Sequence, residues 1–271
     1  MTGGGGRRYL LPPQGGEGDA GSRMTGGHFI RVATYNIHRG RGIDGKRRLD
    51  RILAVLEELD ADLIAIQEVF ASQTHVLAEA TGMRAVFGPT RRFAEGLYGN
   101  LCLSRFPLVS HARYSLTCRP FEPRGCLRVD IDASGGLHGA PGPLHVFNVH
   151  LGLHYRERIR QVERLVGIFE RCRLTGPRLV LGDFNEWFHG AASRLLRAEF
   201  GHPNGRRSRV LTHPSPLPVF PLDRIYHDPA VRVVRAGVHR SRLARIASDH
   251  LPTYADVRLP LSRERSHGVR A

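Results

Sequence analysis

Cysteine is scarce in this chain: Cys102, Cys118, Cys126 and Cys172 are the only four among 271 residues. They form no C-x-x-C pair. That argues against a zinc site and a disulfide framework, and points to free, buried thiols in a reducing cytosol. The expected location is therefore cytoplasmic. No apolar run reaches 18 residues, so a bilayer-spanning helix is excluded. The N-terminus has two arginines followed by LPPQGGEGDAGS, where a secretory signal would need an apolar stretch. Trp187 is the only tryptophan, and the basic stretches carry few aromatics, which gives thin support for base stacking on single strands. No internal repeat is visible.

What the chain has in abundance is arginine. Lys and Arg total 40 against 25 Asp and Glu, a net charge of +15, and Lys46 is the only lysine. A positive field favours anionic partners: nucleic acid, phospholipid surfaces or phosphorylated small molecules. The same skew, alongside many Gly, Ala and Pro, also fits a GC-rich coding habit, and composition leaves both readings open.

Residues 1–27 are Gly-rich and aperiodic and read as disordered. MTGG at Met1 recurs at Met24, so Met24 is an alternative start. From residue 28 to 260 the pattern tightens into one expected domain. HFIRVATYNI alternates as a strand, and RGRGIDGKRR is a basic loop. Leu49, Ile52, Leu53, Leu56 and Leu59 fall at helical spacing. ADLIAIQEV is an apolar strand ending at Glu68. A helix around residues 73–80, then MRAVFG, GNLCLSRFPLV, CLRVDID and PLHVFNVHL, add further elements. YRERIRQVERLVGIFERC is the clearest helix, with Ile159, Val162, Leu165, Val166 and Phe169 as its apolar stripe. PRLVLGDF is a buried strand, and the proline-rich stretch 202–221 is a loop. LDRIYH, VRVVRAGVH and TYADVRL are strands, and 261–271 is a frayed tail. Strands and helices mix throughout, so the fold class is α/β.

Polar residues sit where these strands meet loops. Asn36 ends TYN, Glu68 ends IAIQE, His150 ends FNVH, and Asp183 and Asn185 follow the apolar run LVLG. Asp223 lies in PLDRIY, and Asp249 and His250 precede a strand. Singly, each is an ordinary turn former or surface residue. Together they resemble the rim of an α/β active site, where a rigid scaffold holds functional loops. Glu68, Asn36 and Asp249 offer hard oxygen ligands suited to Mg²⁺ or Mn²⁺. Phosphoryl transfer needs such a cation, a group that orients water, and donors on the phosphate. Asp183, Asn185 and His250 can supply the last two.

TYN, IQE, GNLCLSR, NVHLG, GDFN, LDRI and SDHLP, in that order, resemble the endonuclease/exonuclease/phosphatase superfamily over roughly residues 29–259. The resemblance implies a four-layer sandwich: two mixed β-sheets packed face to face with helices on the outside. It implies Glu68 as principal Mg²⁺ ligand, with Asn36 and Asp249 near the metal. It also implies Asp183 as the residue activating water, Asn185 as a phosphate-binding amide, and His250 as a phosphate-contacting imidazole backed by Asp223. The resemblance implies His150 as a second phosphate or leaving-group histidine. Gly182 would let substrate or a neighbouring strand approach closely. Two departures stand out. His38 occupies the position where many abasic-site nucleases carry an acid, and His150 stands where that branch tends to have tyrosine.

Arg124, Arg156 and Arg160 are candidates for substrate contact, with a solvated face as the alternative for the two helical ones. The expected activity is metal-dependent hydrolysis of a phosphodiester, nuclease-like. The alternatives are a phospholipid headgroup phosphodiesterase, a phosphomonoesterase, or a phosphate-binding module without turnover. The expected partners are nucleic acid or anionic phospholipid, and a monomer is favoured.

Overall fold

A computed structural model describes residues 29–132, 142–200 and 210–259. The expected disorder of 1–27 and fraying of 261–271 fall outside the described residues. So does part of the proline-rich loop.

Eleven strands form two sheets. The first contains β1 (Ile30–Asn36), β2 (Leu63–Phe70), β3 (Arg84–Phe93), β4 (Gly96–Ser104), β10 (Arg232–Val238) and β11 (Thr253–Arg258), in the order β10-β11-β1-β2-β4-β3. The second contains β5 (Leu108–Ser115), β6 (Gly125–Ile131), β7 (Leu144–His150), β8 (Arg178–Asp183) and β9 (Asp223–His227), in sequence order. Each sheet is mixed, with one parallel pair at its centre: β1 beside β2, and β7 beside β8. Every other pairing is antiparallel.

The parallel pairs need long crossovers, and the helices supply them. Helix α1 (Leu49–Leu59) connects β1 to β2, and α3 (Tyr155–Cys172) connects β7 to β8. Helices α2 (Ala71–Thr81), α4 (Ala191–Phe200) and the short α5 (Ala244–Ala247) complete the outer layers. The inner faces of the sheets meet in an apolar layer that includes Val32, Leu63, Ala65, Val129, Val146, Leu179 and Ile225. A second apolar layer lies between the first sheet and α1, α2 and α5. A third joins the second sheet to α3 and α4 through Val162, Leu165, Phe169, Leu196 and Phe200. Three cores make four layers, the architecture that the family resemblance implies.

Local detail departs from the sequence reading in places. Helix α4 was not anticipated, although Ala192, Leu196 and Phe200 recur every four residues and are buried. The stripe of α3 turns slightly: Ile168 is buried, while Ile159 and Val166 are half-buried. The basic loop after β1 contains a 3-10 turn at His38–Gly40. All four thiols are free; Cys102, Cys118 and Cys126 are buried and Cys172 is half-buried.

One polar feature crosses the central apolar layer. Gln67 Nε2 donates to Asn148 Oδ1 at 2.8 Å. Asn148 Nδ2 donates to the carbonyls of Ile66 and Leu101 at 3.0 and 2.9 Å. Asn100 Nδ2 donates to Asn148 O at 3.2 Å. These bonds stitch β2 and β4 of one sheet to β7 of the other. Asn148→Ala removes the three bonds made by its side chain, sparing the one to its backbone carbonyl, and leaves a buried Gln67 amide hydrogen without that acceptor and two carbonyls without that donor. The expected loss is about 3 kcal/mol of unfolding free energy, from the penalty of unsatisfied buried polar groups. Denaturant titration measures it; an unchanged midpoint would show that the stitch is dispensable.

Candidate active site

Strand direction decides which residues meet. In a parallel pair both C-terminal ends lie at the same edge, and an antiparallel neighbour brings its N-terminal end there. Asn36 ends β1 and Glu68 lies near the end of β2. His150 and Asp183 end β7 and β8 and are directly paired. Asp223 begins β9 and pairs with Asp183. Asp249 and His250 precede β11, and Arg124 precedes β6. Most of these ends open onto one cleft of about 470 Å³, lined by Glu68, Arg124, His150, Asp183, Asn185, Asp249 and His250, among others, with Asn36 and Asp223 behind it, bonded to Asp183 and His250.

The centre is Asp183, which is 1% exposed. Its Oδ1 accepts from the Asn185 backbone N–H at 2.8 Å, and its Oδ2 accepts from Asn36 Nδ2 at 3.0 Å. The Nε2 atoms of His150 and His250 stand 3.6 and 3.8 Å from the same Oδ2. Asn36 Nδ2 also donates to Glu68 Oε1 at 3.2 Å, linking the two sheets' carboxylates through one amide. Gly182 answers the requirement for close approach: at φ 150°, a Cβ there would lie 1.8 Å from Val149 O on the neighbouring strand. It is the adjacent strand that requires glycine at this position.

The backbone is unusual at two of these positions. Glu68 has φ 60° and Asn185 has φ 48°, both in the left-handed region. The Glu68 position coincides with a register shift between Ile66 and Val69 in the β2–β4 pairing. Such an irregularity re-aims a side chain from the sheet face toward the rim. Asn185 Nδ2 donates to Leu151 O at 2.9 Å, tying the loop after β8 to the loop after β7. Behind it, the buried Arg224 bonds Glu186 Oε2 at 2.8 Å and Glu186 O at 2.6 Å, which fixes the next residue of the same loop.

The environments separate the ionisable groups. Burial pushes the Asp183 carboxyl up to about 6, against the pull of nearby His250. Burial opposes charge on His250, but Asp223 and Asp183 outweigh it and raise its imidazole to about 10. Asp223 Oδ2 stands 2.8 Å from His250 Nδ1, so the carboxylate holds both ring orientation and proton. His150 is driven the other way: burial, with Arg124 and His250 beside it, holds it well below its ordinary value. Arg124 Nη1 is 3.2 and 3.1 Å from its ring nitrogens. The edge thus combines a carboxylate able to take a proton near neutrality, an imidazolium, a neutral imidazole and a guanidinium.

A divalent cation has donors here, arranged differently from the simplest expectation. Glu68, Asn36 and Asp249 do share this edge. Among the described residues, however, the groups whose ligand atoms approach within 4.8 Å are His213, Asp249 and His250, and Asp183, Asp223 and His250. Glu68 belongs to neither. His38 Nδ1 is 3.5 Å from Asp249 Oδ1, and His213 Nε2 is 4.0 Å from Asp249 Oδ2. With imidazoles on both sides of Asp249, the oxygen donors have nitrogen neighbours that suit Mn²⁺ as well as Mg²⁺.

Arg156 and Arg160 are not brought to the cleft. They lie four apart on the exposed face of α3. Arg158, two residues from each, faces nearly opposite on a helical wheel. Its Nη1 is 3.3 Å from Gly152 O, and Gln161 Oε1 accepts from Gly152 N at 2.8 Å. The RERIRQ run thus braces the loop after His150. The structure also adds residues that the sequence did not signal. His213, from the stretch read only as a loop, packs against His250 with ring centroids 4.9 Å apart. Arg39, Tyr98 and Trp187 also line the cleft. Trp187 stacks on Phe220 at 4.8 Å and remains 53% exposed.

Comparison with known proteins follows the same lines. The sequence pattern of the Endonuclease/Exonuclease/phosphatase family matches residues 33–250. An uncharacterized Escherichia coli (strain K12) protein, YbhP, is 29% identical over 253 residues, covering 85% of this chain and 96% of YbhP. The Bacteroides thetaiotaomicron mannosyl-6-phosphatase Bt3783 superposes with a TM-score of 0.72 at 20% identity, over 84% of this chain and 99% of that one. D. rerio TDP2, solved with a single-strand DNA product, superposes with a TM-score of 0.62 at 15% identity, over 85% and 99%. At those identities the two structures speak for the fold alone.

The paired carboxylate and imidazole set a spectroscopic expectation. Because Asp223 raises the affinity of His250 for its proton, the ring should stay charged from pH 6 to 8. Asp223→Asn should bring its titration down into that range. NMR of the His250 ring protons follows this directly; a wild-type ring titrating near the unperturbed value of about 6.5 would contradict the assignment.

Proposed function

Because this chain belongs to the endonuclease/exonuclease/phosphatase family, whose fold is a phosphoesterase fold, we propose that it hydrolyses a phosphodiester with a divalent cation, in the manner of a nuclease. The observation that carries the reading is the convergence on Asp183: two imidazoles and two carboxamide-bearing residues from both sheets surround one buried carboxylate.

Asp183 orients a water for in-line attack and takes its proton. A buried carboxyl raised to about 6 is suited to that work near neutral pH. His250, charged and steadied by Asp223, donates through Nε2 to a non-bridging phosphate oxygen as negative charge accumulates there. Asn185 and Asn36 hold Asp183 in place, and Asn185 offers its remaining amide hydrogen to the phosphate. His150, neutral and beside Arg124, stands on the other side of the same carboxylate, positioned toward the leaving oxygen. Glu68 and Asp249, with Asn36 beside them, would hold Mg²⁺ or Mn²⁺, which when bound would neutralise charge on the phosphate oxygens. His38 and His213 flank Asp249 and bias it toward the cleft.

A second reading, hydrolysis at an anionic phospholipid headgroup, draws on the cleft's apolar rim. Trp187 and Phe188 are 53% and 76% exposed on the loop that carries Asn185. Such a rim can rest on an acyl surface. Nicking of supercoiled DNA beside release of headgroups from anionic vesicles distinguishes the two.

Two limbs are expected in the pH profile of kcat/KM. The rate should rise as Asp183 loses its proton near 6, because the protonated acid cannot accept one from water. It should fall toward 10 as His250 loses the charge that binds the phosphate. Asp183→Asn should lower kcat by about a thousandfold on bis(4-nitrophenyl) phosphate with folding intact, in the range typical of a general base. Chelation should abolish turnover, and added Mg²⁺ or Mn²⁺ should restore it. Full activity in Asp183→Asn, or a rate that is flat from pH 5 to 8, would remove Asp183 from the role.

A further inference from the structure

A second cavity, of about 320 Å³, lies beside the cleft between the edges of the two sheets. Its polar lining includes Thr90, Asn100, Arg113, Ser115, Thr117 and Arg124. Arg124 alone lines both cavities. Its side chain is only 10% exposed, its Nε has no hydrogen-bond partner, and the nearest carboxylate, on Glu122, stands 3.7 Å away. A guanidinium that is buried yet under-bonded calls for an anion, and its fork of donors is broad enough to serve two at once.

The cavity exists because the sheets come together on glycine. A Cβ on Gly125 would lie 2.8 Å from the Thr90 side chain, and one on Gly88 would lie 3.2 Å from Leu127. The floor is therefore backbone, with hydroxyls and arginines above it. Arg113 is exposed on β5 and, among the described residues, its side chain makes no ion pair or hydrogen bond. The two arginines face one small polar recess that has no acid in its lining.

We propose that this recess holds a second phosphate of the same substrate, the one adjacent to the scissile phosphate in a polynucleotide strand. Arg124 bridges the two phosphates, and Arg113 closes on the second. The inference rests on the phosphodiesterase reading and favours strands over simple headgroup diesters, which carry a single phosphate. It also gives the chain's positive charge a specific address.

Arg113 is the residue to change, since it lies outside the Asp183 centre and is exposed. Arg113→Gln and Arg113→Glu should melt like wild type. The ratio of kcat/KM on a single-stranded DNA oligonucleotide to that on bis(4-nitrophenyl) phosphate should fall at least fivefold in Arg113→Gln, through KM, and further in Arg113→Glu. In an Asp183→Asn background, oligonucleotide binding should lose about 0.7 from its slope against log salt when Arg113 is replaced, the share of one phosphate contact on a single strand. Inorganic pyrophosphate should bind at least tenfold more tightly than orthophosphate by calorimetry, with the preference lost in Arg113→Gln.

Ratios, slopes and pyrophosphate preference that are unchanged in both variants would overturn the second-phosphate site while leaving the hydrolase reading intact. A wild-type protein that cleaves no diester defeats the hydrolase reading, and the pyrophosphate arm still decides the recess because it needs no turnover. Headgroup release from vesicles that exceeds DNA cleavage and is insensitive to Arg113 also counts against the proposal.

Discussion

The site depends on two sheets keeping one register across an apolar interface, and the buried amides of Gln67 and Asn148 set that register. Dispersion and burial hold sheets together without saying where along the strands they should sit. A hydrogen bond in a low-dielectric interior does say, because sliding by one residue would strand every donor and acceptor in the set. Gln67 immediately precedes Glu68, and Asn148 lies two residues before His150. Fixing the first pair therefore fixes the second. Asn36 then spans the same gap at the rim, with one amide between Glu68 and Asp183 at 3.2 and 3.0 Å.

Within that frame, opposite chemical tasks are assigned by surroundings more than by residue type. Asp183 and Asp223 are both buried carboxyls, paired across β8 and β9. Asp223 has a close imidazole partner, and Asp183 has His250 only at 3.8 Å. Desolvation therefore dominates at Asp183, while the proton shared with Asp223 stays on His250. His150 and His250 divide in the same way: one has a carboxylate on its Nδ1, the other a guanidinium beside its ring. The left-handed backbone at Glu68 and Asn185 belongs to the same economy. Left-handed conformation costs a non-glycine residue about 1–3 kcal/mol, and both instances are at the cleft, where surrounding bonds over-determine them.

The sequence made the scaffold and the rim legible for one reason. Apolar strands that end abruptly in Asn36, Glu68, His150 and Asp183 announce both the strand and the edge at which it stops. Because β1–β2 and β7–β8 are parallel, the endings within each pair share an edge, and the Asn36 amide between Glu68 and Asp183 shows that the two edges coincide. What the pattern could not show was the cross-sheet partnership. Gln67 and Asn148 each sit inside a strand, where periodicity reads only an interruption. His213 was equally silent, since it reaches His250 from a segment without periodicity. In the RERIRQ run the sequence left Arg156 and Arg160 between substrate contact and a solvated face. Both are exposed on α3, while Arg158, which the pattern did not single out, is buried against the loop that follows His150. Helix α4 hid because three apolar contacts, one of them alanine, are a faint stripe.

Net charge is the weakest global clue until arginines are sorted by partner. Many are structural: Arg31 on Asp256, Arg178 on Asp228 and Glu199, Arg105 on Asp60 and Asp62, Arg224 on Glu186. These neutralise acids at the outer edges of the sheets or inside the loops and contribute little field at the cleft. Arg124 is different because it is largely desolvated and its carboxylate partner, on the exposed Glu122, stands 3.7 Å away, so its charge is only weakly compensated. A buried, weakly compensated cation is costly for folding alone and becomes favourable when an anion arrives. A substrate phosphate at Arg124, as proposed above, would complete an electrostatic arrangement that the polypeptide leaves open, and the position of that opening, between two cavities, would bear on specificity more than the total of +15 does.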